Sequence, residues 1–427
     1  MANLAFRSFT TLGYLGAALL IAIVAVLALT SFGDDTSGQQ ALDTATPVPT
    51  RVSVGPGGDV SSISEGIEAA GAGGVVEVHA GAYDEFVRIT QAVTIRPAGD
   101  GDVWIDRDCA EGSAIHVYSG SGVTIQGIGI RNTGGASVLV GDSGDASPPN
   151  HVTLDGLTIE HFNCTNARFQ ANAGIAVWQA ACCQTITNNT ITYRTSGEPR
   201  GHGDGIWFKS TDEYPSGGGH YIAGNTVSGG WDGIGGESEW DEHGSFDRAT
   251  VIENNTVVDC WDDGIQVEGG NVDLRVTGNT ISGCGTGVAF APTLTGPLHI
   301  TRNVIRDLQT GLYDNLFCFK AGHDYPGAVF LTENVCDSDG DGLMQTNGGL
   351  PTIVSRDNCF RVSRNVIRLG GTVPDGTSFE GDKLWTSDPQ RFVTWESQRY
   401  EDLATLQAAT GQETAGNETP NCPLTLD

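Results

Sequence analysis

Residues 251–289 read VIENNTVVDCWDDGIQVEGGNVDLRVTGNTISGCGTGVA and contain the same phrase twice. A short apolar alternation runs into Asn255 and then into Asn279, each followed two residues later by Val or Ile. A cysteine follows each Asn by five residues, Cys260 and Cys284, and then comes a small residue, Gly and an aliphatic: Asp263-Gly264-Ile265 and Thr286-Gly287-Val288. Alternation over a few residues is the period of a half-buried strand. No repeat contains the long 3.6-period stripe a helix needs.

The phrase extends in both directions. The Gly triplet recurs as Ala173-Gly174-Ile175, Asp204-Gly205-Ile206, Asp232-Gly233-Ile234, Thr310-Gly311-Leu312 and Asp341-Gly342-Leu343. The Asn recurs at 189, 225, 255, 279, 303, 334 and 365, and subtracting neighbours gives steps of 36, 30, 24, 24, 31 and 31. Self-similarity at such a period, with strands rather than helices in each unit, specifies an all-β solenoid of stacked coils. Aliphatic residues should point inward, and the Asn should occupy a corner, accept left-handed backbone and bond the Asn of the next coil. Coils stacked at strand spacing, about 4.8 Å, bring Cys260 and Cys284 within disulfide reach.

The flanks supply ends. Ser61 to Ala70 places Ile63, Ile67 and Ala70 on one helical face, suited to covering the open end of a solenoid. The tail after 371 loses the repeat; Glu401–Thr410 reads as a helix stopped by Gly411, and Cys422 is a candidate to tie the tail back to Cys359. Phe9 to Phe32 is apolar and long enough to span a bilayer, with Arg7 before it, and reads as an uncleaved anchor or a signal cut after Ala28. The expected layout is therefore 1–32 anchor or signal, 33–51 linker, 52–371 solenoid and 372–427 C-terminal extension. Either form of the N-terminal segment exports the rest, and ten cysteines without a CxxC pair then read as disulfides plus free thiols.

The Gly-Pro-Gly-Gly-Asp stretch at 55–59, the helix, Ala-Gly-Ala-Tyr-Asp-Glu at 80–85, Val-Thr-Ile-Arg-Pro-Ala-Gly at 93–99 and the Asn-x-Ile repeats together resemble the pectate-lyase-like superfamily over roughly 52–370. The resemblance implies a right-handed parallel β-helix. It also implies a carbohydrate context, since the superfamily includes polysaccharide lyases, glycoside hydrolases, uronan epimerases and noncatalytic surface proteins.

A net charge of −30 argues against nucleic acid and anionic lipid as partners, leaving membrane contact to the N-terminal segment alone. Aligning coils on the repeat Gly stacks Asp204, Asp232 and Asp263, and four residues beyond the Gly it stacks Lys209, Glu237 and Glu268. The next coils place Thr286 and Thr310, then Ala291 and Asn315, at these positions. Residues 203–273 hold 15 acidic residues and two basic ones. Trp207, Trp231 and Trp261 accompany them, and the loops bring Tyr214, His220, Trp240 and His243. Aromatic faces beside carboxylates suit a sugar ring, and stacked carboxylates raise one another's pKa or gather a cation.

Asp232, Asp262 and Asp263 are thus candidate acid and base for glycosidic cleavage, with Lys209 a candidate lyase base or a neutralising partner. Asp204, Trp207, His220, Trp231, Glu237, Trp240, Trp261 and Glu268 are candidate polysaccharide-binding residues. Asp before Gly is also an ordinary turn residue. Asp337, Asp339 and Asp341 match the first half of a calcium loop, although Gly348 stands where the bidentate Glu belongs. Hydrolysis is preferred because the acidic stretch is poor in bases. A Ca²⁺-dependent lyase and a noncatalytic glycan-binding protein are the alternatives.

Overall fold

The structure, a computed structural model, describes residues 50–141, 148–167, 171–179, 182–194, 203–210, 216–237, 244, 246–309, 316–322, 327–346 and 348–422, with Glu237 described in its backbone only. The N-terminal apolar segment, most of the linker, Tyr214, Trp240, His243, Thr310 and Asn315 lie outside these residues. No helix among the described residues is long and apolar enough to cross a membrane.

Each coil contributes one short strand to each of three sheets. In one coil these are Val251–Glu253 in the first sheet, Thr256–Val258 in the second and Asp263–Gln266 in the third. Each sheet has 13 strands, and neighbours pair in parallel throughout, except where Gln398–Tyr400 runs antiparallel to Val393–Trp395 and closes one edge of the third sheet. The aliphatic rungs, such as Ile222–Ile252–Val276 and Val227–Val257–Ile281, face one continuous interior. This is the right-handed parallel β-helix expected.

The repeat glycines answer to this interior rather than to a turn. A Cβ at Gly205 would stand 2.2 Å from Val227 Cγ1, and one at Gly233 equally close to Val257 Cγ1. Neither has a positive φ, so it is space and not backbone freedom that demands Gly there.

The Asn ladder runs along the corner between the first and second sheets. Asn255 donates its backbone N–H and its Nδ2–H to Asn279 Oδ1 at 2.9 and 3.0 Å, and its Nδ2 also donates to Ile222 O. Two details differ from expectation. The left-handed residue is the one before the ladder Asn, as at Asn188 (φ 56°) and Asn254 (φ 54°). The rung after Asn334 is Asn358, not Asn365, because Phe360 rather than an aliphatic marks that rung. Asp382 then takes the next rung, accepting the Asn358 N–H at 2.7 Å.

The ends are closed. Ser62 caps the helix Ile63–Ala70 in a capping box with Glu65, and Ile63, Ile67 and Ala70 are buried. Asp402 caps Leu403–Thr410, and Gly411 ends it in the left-handed region. Strands Ser378–Glu380, Lys383–Thr386 and Val393–Trp395 carry all three sheets past residue 371, so the stack outlasts its visible repeat. The ten cysteines form five disulfides, 109–164, 182–183, 260–284, 318–336 and 359–422. The two expected pairings are among them and no thiol is left over.

Candidate active site

The candidate catalytic residues fall on the third sheet or at the corner that leads into it. Register pairs Trp178 with Lys209 and Lys209 with Glu237, while Ile234 pairs with Ile265 and so aligns Asp232 with Asp263. Asp204, Asp232 and Asp263 are buried, and each of the first two caps the coil above: Asp204 Oδ1 accepts the Asp232 N–H at 3.2 Å, and Asp232 Oδ1 accepts the Asp263 N–H at 2.9 Å. Asp341 does the same for Asn365, at 2.9 Å. The Asp before the repeat Gly therefore has a structural duty, satisfying a backbone donor at the corner.

Asp263 departs from that duty. The Thr286 N–H goes instead to the Asp262 carbonyl at 2.8 Å, because Asp262 is an added residue at this corner. Asp263 Oδ2 turns to Lys320 Nζ at 3.1 Å, and the same ammonium lies 3.2 Å from Glu268 Oε1. Lys320 stands in the outward row Gln266–Ala289–Lys320, and its side chain reaches back past the small Ala289 to both carboxylates. Lys320 lies outside the repeat-Gly alignment. The strand paired with Thr286–Ala289 is Phe317–Ala321, in which Cys318 replaces the repeat Gly, so the coil assigned to Thr310 and Asn315 was misaligned.

Burial alone would depress the Lys320 ammonium, but Asp263, Glu268 and Asp262 outweigh it and hold it well above its usual range. Burial first, and Asp263 beside it, push the partly exposed Asp262 carboxyl up to about 7, with Lys320 opposing. Burial, then Asp204, Asp263 and Asp262, push Asp232 well upward. Its Oδ2 has no hydrogen-bond partner among the described residues and faces Gly235, where an added Cβ would sit 3.4 Å from it and from Gln266 Oε1. The cluster thus sets two carboxyls whose pKa burial raises, Asp232 and Asp262, beside Asp263, which is paired to a cation.

Trp231 and Trp261 flank these aspartates and are partly exposed. Trp207 is on the outer face but fully buried, packed against Trp178 with ring centroids 5.4 Å apart and against Ala136, Ala173 and Ala176. Trp178 is the more accessible ring, and it lies four residues after Gly174, the same offset that gave Lys209. His220 is 1% exposed, 4.8 Å from the Phe208 ring, and accepts the Gln184 N–H, so it belongs to the interior and not to the outer face. Burial lowers its pKa to about 3, which keeps it neutral.

The calcium-loop reading does not fit the geometry. Asp337 is on a second-sheet strand and Asp341 on a third-sheet strand, with a corner between them. Asp337 is bound by Arg361, and Asp341 by Asn365, with Arg364 at 4.0 Å. Among the described residues these three carboxylates do not converge on one point.

The family model described as the right handed beta helix region matches residues 113–316. No curated protein matches the chain. Among solved structures the chain is similar to a tailspike protein double mutant of E. coli bacteriophage HK620, at 12% identity and a TM-score of 0.46, covering 79% of this chain and 68% of that one. It is similar also to mutants of that phage tailspike in complex with a pentasaccharide (10% identity, 0.46, 80% and 68%) and with a hexasaccharide (11% identity, 0.44, 81% and 68%). With three parallel sheets coiled around one core and the family match across its middle, the chain is a right-handed parallel β-helix protein.

Proposed function

We propose that the protein is an exported enzyme that cleaves glycosidic bonds of a polysaccharide lying across the outer face of the third sheet. The observation that carries this reading is the partly exposed Asp262, with its pKa raised to about 7, beside Asp263, which is salt-bridged to Lys320 at 3.1 Å. Glycosidic cleavage needs one carboxylic acid that retains a proton and one carboxylate that does not. Asp262 would donate the proton to the leaving oxygen, and Asp263, salt-bridged to Lys320, would stabilise charge on the sugar or activate water. Trp231, Trp261 and Trp178 offer faces for sugar rings. Five disulfides favour an oxidising compartment, in keeping with export through the N-terminal apolar segment.

The test uses the full-length protein in mild detergent with neutral and uronic polysaccharides, in Ca²⁺ or in EDTA. New reducing ends without an unsaturated chromophore, abolished in Asp262→Asn and Asp263→Asn, are expected. An unsaturated product lost in EDTA would replace hydrolysis by metal-dependent elimination. Binding without turnover in both wild type and variants would make the protein a glycan-binding one.

A further inference from the structure

A groove lies away from that cluster, on the outer side of the second sheet near its C-terminal end. It encloses about 460 Å³ and is lined by Asp307, Asp337, Asp339, Arg361, Trp385 and Pro420, among others. Three of these form one outward row, because Asp337 pairs with Arg361 and Arg361 with Trp385 across adjacent strands. The row sets a partly exposed indole beside a guanidinium whose Nε–H donates to Asp337 Oδ1 at 2.8 Å. Arg361 remains 40% exposed, so donors are still accessible to a ligand.

The far wall is the C-terminal tail at Pro420, fixed by the Cys359–Cys422 disulfide. A covalently fixed wall facing a strand row is a preformed cleft, and its volume falls in the range of small-ligand sites, about 300–1,000 Å³. An indole face takes the C–H face of a pyranose, while paired carboxylate and guanidinium groups meet vicinal hydroxyls. Asp307, Asp337 and Asp339 outnumber Arg361, so a uronate would be repelled.

We propose that this groove is a binding site for a neutral oligosaccharide, separate from the Asp262–Asp263–Lys320 cluster on the third sheet and independent of whether that cluster is catalytic. It would hold a glycan chain against the solenoid away from the point of cleavage.

The full-length protein would be titrated calorimetrically with cellohexaose, chitohexaose and hexagalacturonate, in wild type, Trp385→Ala, Trp385→Phe and Asp263→Asn. The expected result is binding of a neutral hexasaccharide that weakens about tenfold or more in Trp385→Ala. Trp385→Phe should recover most of it by restoring an aromatic face, and Asp263→Asn should leave it intact. Equal affinity in wild type and Trp385→Ala, preference for hexagalacturonate, or no binding of either neutral sugar by wild type would each overturn the proposal. Loss of turnover in Asp263→Asn with this binding retained separates the two sites.

Discussion

The C-terminal end of the Asn ladder holds a pair of buried carboxyls whose shared proton should set the alkaline stability of the fold. Asp382 and Glu413 are both fully buried. Asp382 Oδ1 accepts from the Asn358 N–H at 2.7 Å, its Oδ2 accepts from Ser355 Oγ at 2.6 Å, and its own N–H donates to Glu413 Oε2 at 3.0 Å. Burial first, and then the Asp382 charge and hydrogen bond, push Glu413 from 4.5 up to about 9. Burial also raises Asp382, so the pair keeps one proton across the neutral range.

The sign follows from linkage. An acid whose pKa is higher in the folded than in the unfolded chain contributes stability in full below the unfolded value. That contribution is lost as pH climbs toward the folded value. Between 4.5 and 9 the folded state binds one more proton than the unfolded, so stability falls by about 1.4 kcal/mol per pH unit. From about pH 6 to about pH 8.5 this one proton amounts to a loss of about 3 kcal/mol.

Glu413→Gln mimics the protonated acid, since the amide can donate to Asp382 and accept its N–H. Urea unfolding of the full-length protein, followed by circular dichroism at the two pH values, should show a wild-type loss that is largely absent from the variant. Hydrogen exchange in 378–418 would locate the loss at this end. A Glu413→Gln variant as pH-sensitive as wild type, or less stable at both pH values, would refute the shared proton.

Other outcomes are equally specific. If Asp262 is the proton donor, turnover should fall as pH rises through about 7, and the pH profile of kcat/KM would report it. Lys320→Met leaves Asp263 and Glu268 buried without their cation and should cost roughly 3–5 kcal/mol, measured by urea unfolding, as well as turnover. Asn279→Ala orphans the Asn255 N–H and an Asn255 Nδ2–H, and removes one donor from the Ile252 carbonyl, which stays in the backbone ladder. At about 1–3 kcal/mol per orphaned donor it should cost roughly 2–6 kcal/mol, read as a lowered urea midpoint.

Features that repeat along the chain could be read without coordinates. Asn-x-Ile and Gly-aliphatic phrases recur because every coil solves the same local problem, so the inward rungs, the Asn ladder from 189 to 334 and the 260–284 pairing were legible from spacing. The cap helix and Gly411 were legible because capping uses residues within one turn.

Legibility failed wherever one coil broke the phrase. Cys318 in place of Gly hid the strand Phe317–Ala321, and Phe360 hid the Asn358 rung. Lys320 belongs to the site only because Ala289 is small enough for its side chain to pass over a whole coil, a relation 57 residues long in sequence. Trp207 and His220 looked like binding residues by type, but only packing decides which side of a sheet or corner a ring occupies, and here it buries both. Asp337 and Asp341 are four apart in sequence yet on different sheets, since a corner separates them. Sequence periodicity fixes position along and around the solenoid. Which side chains meet across coils is decided by side-chain length, neighbouring small residues and the corner geometry that only the folded chain possesses.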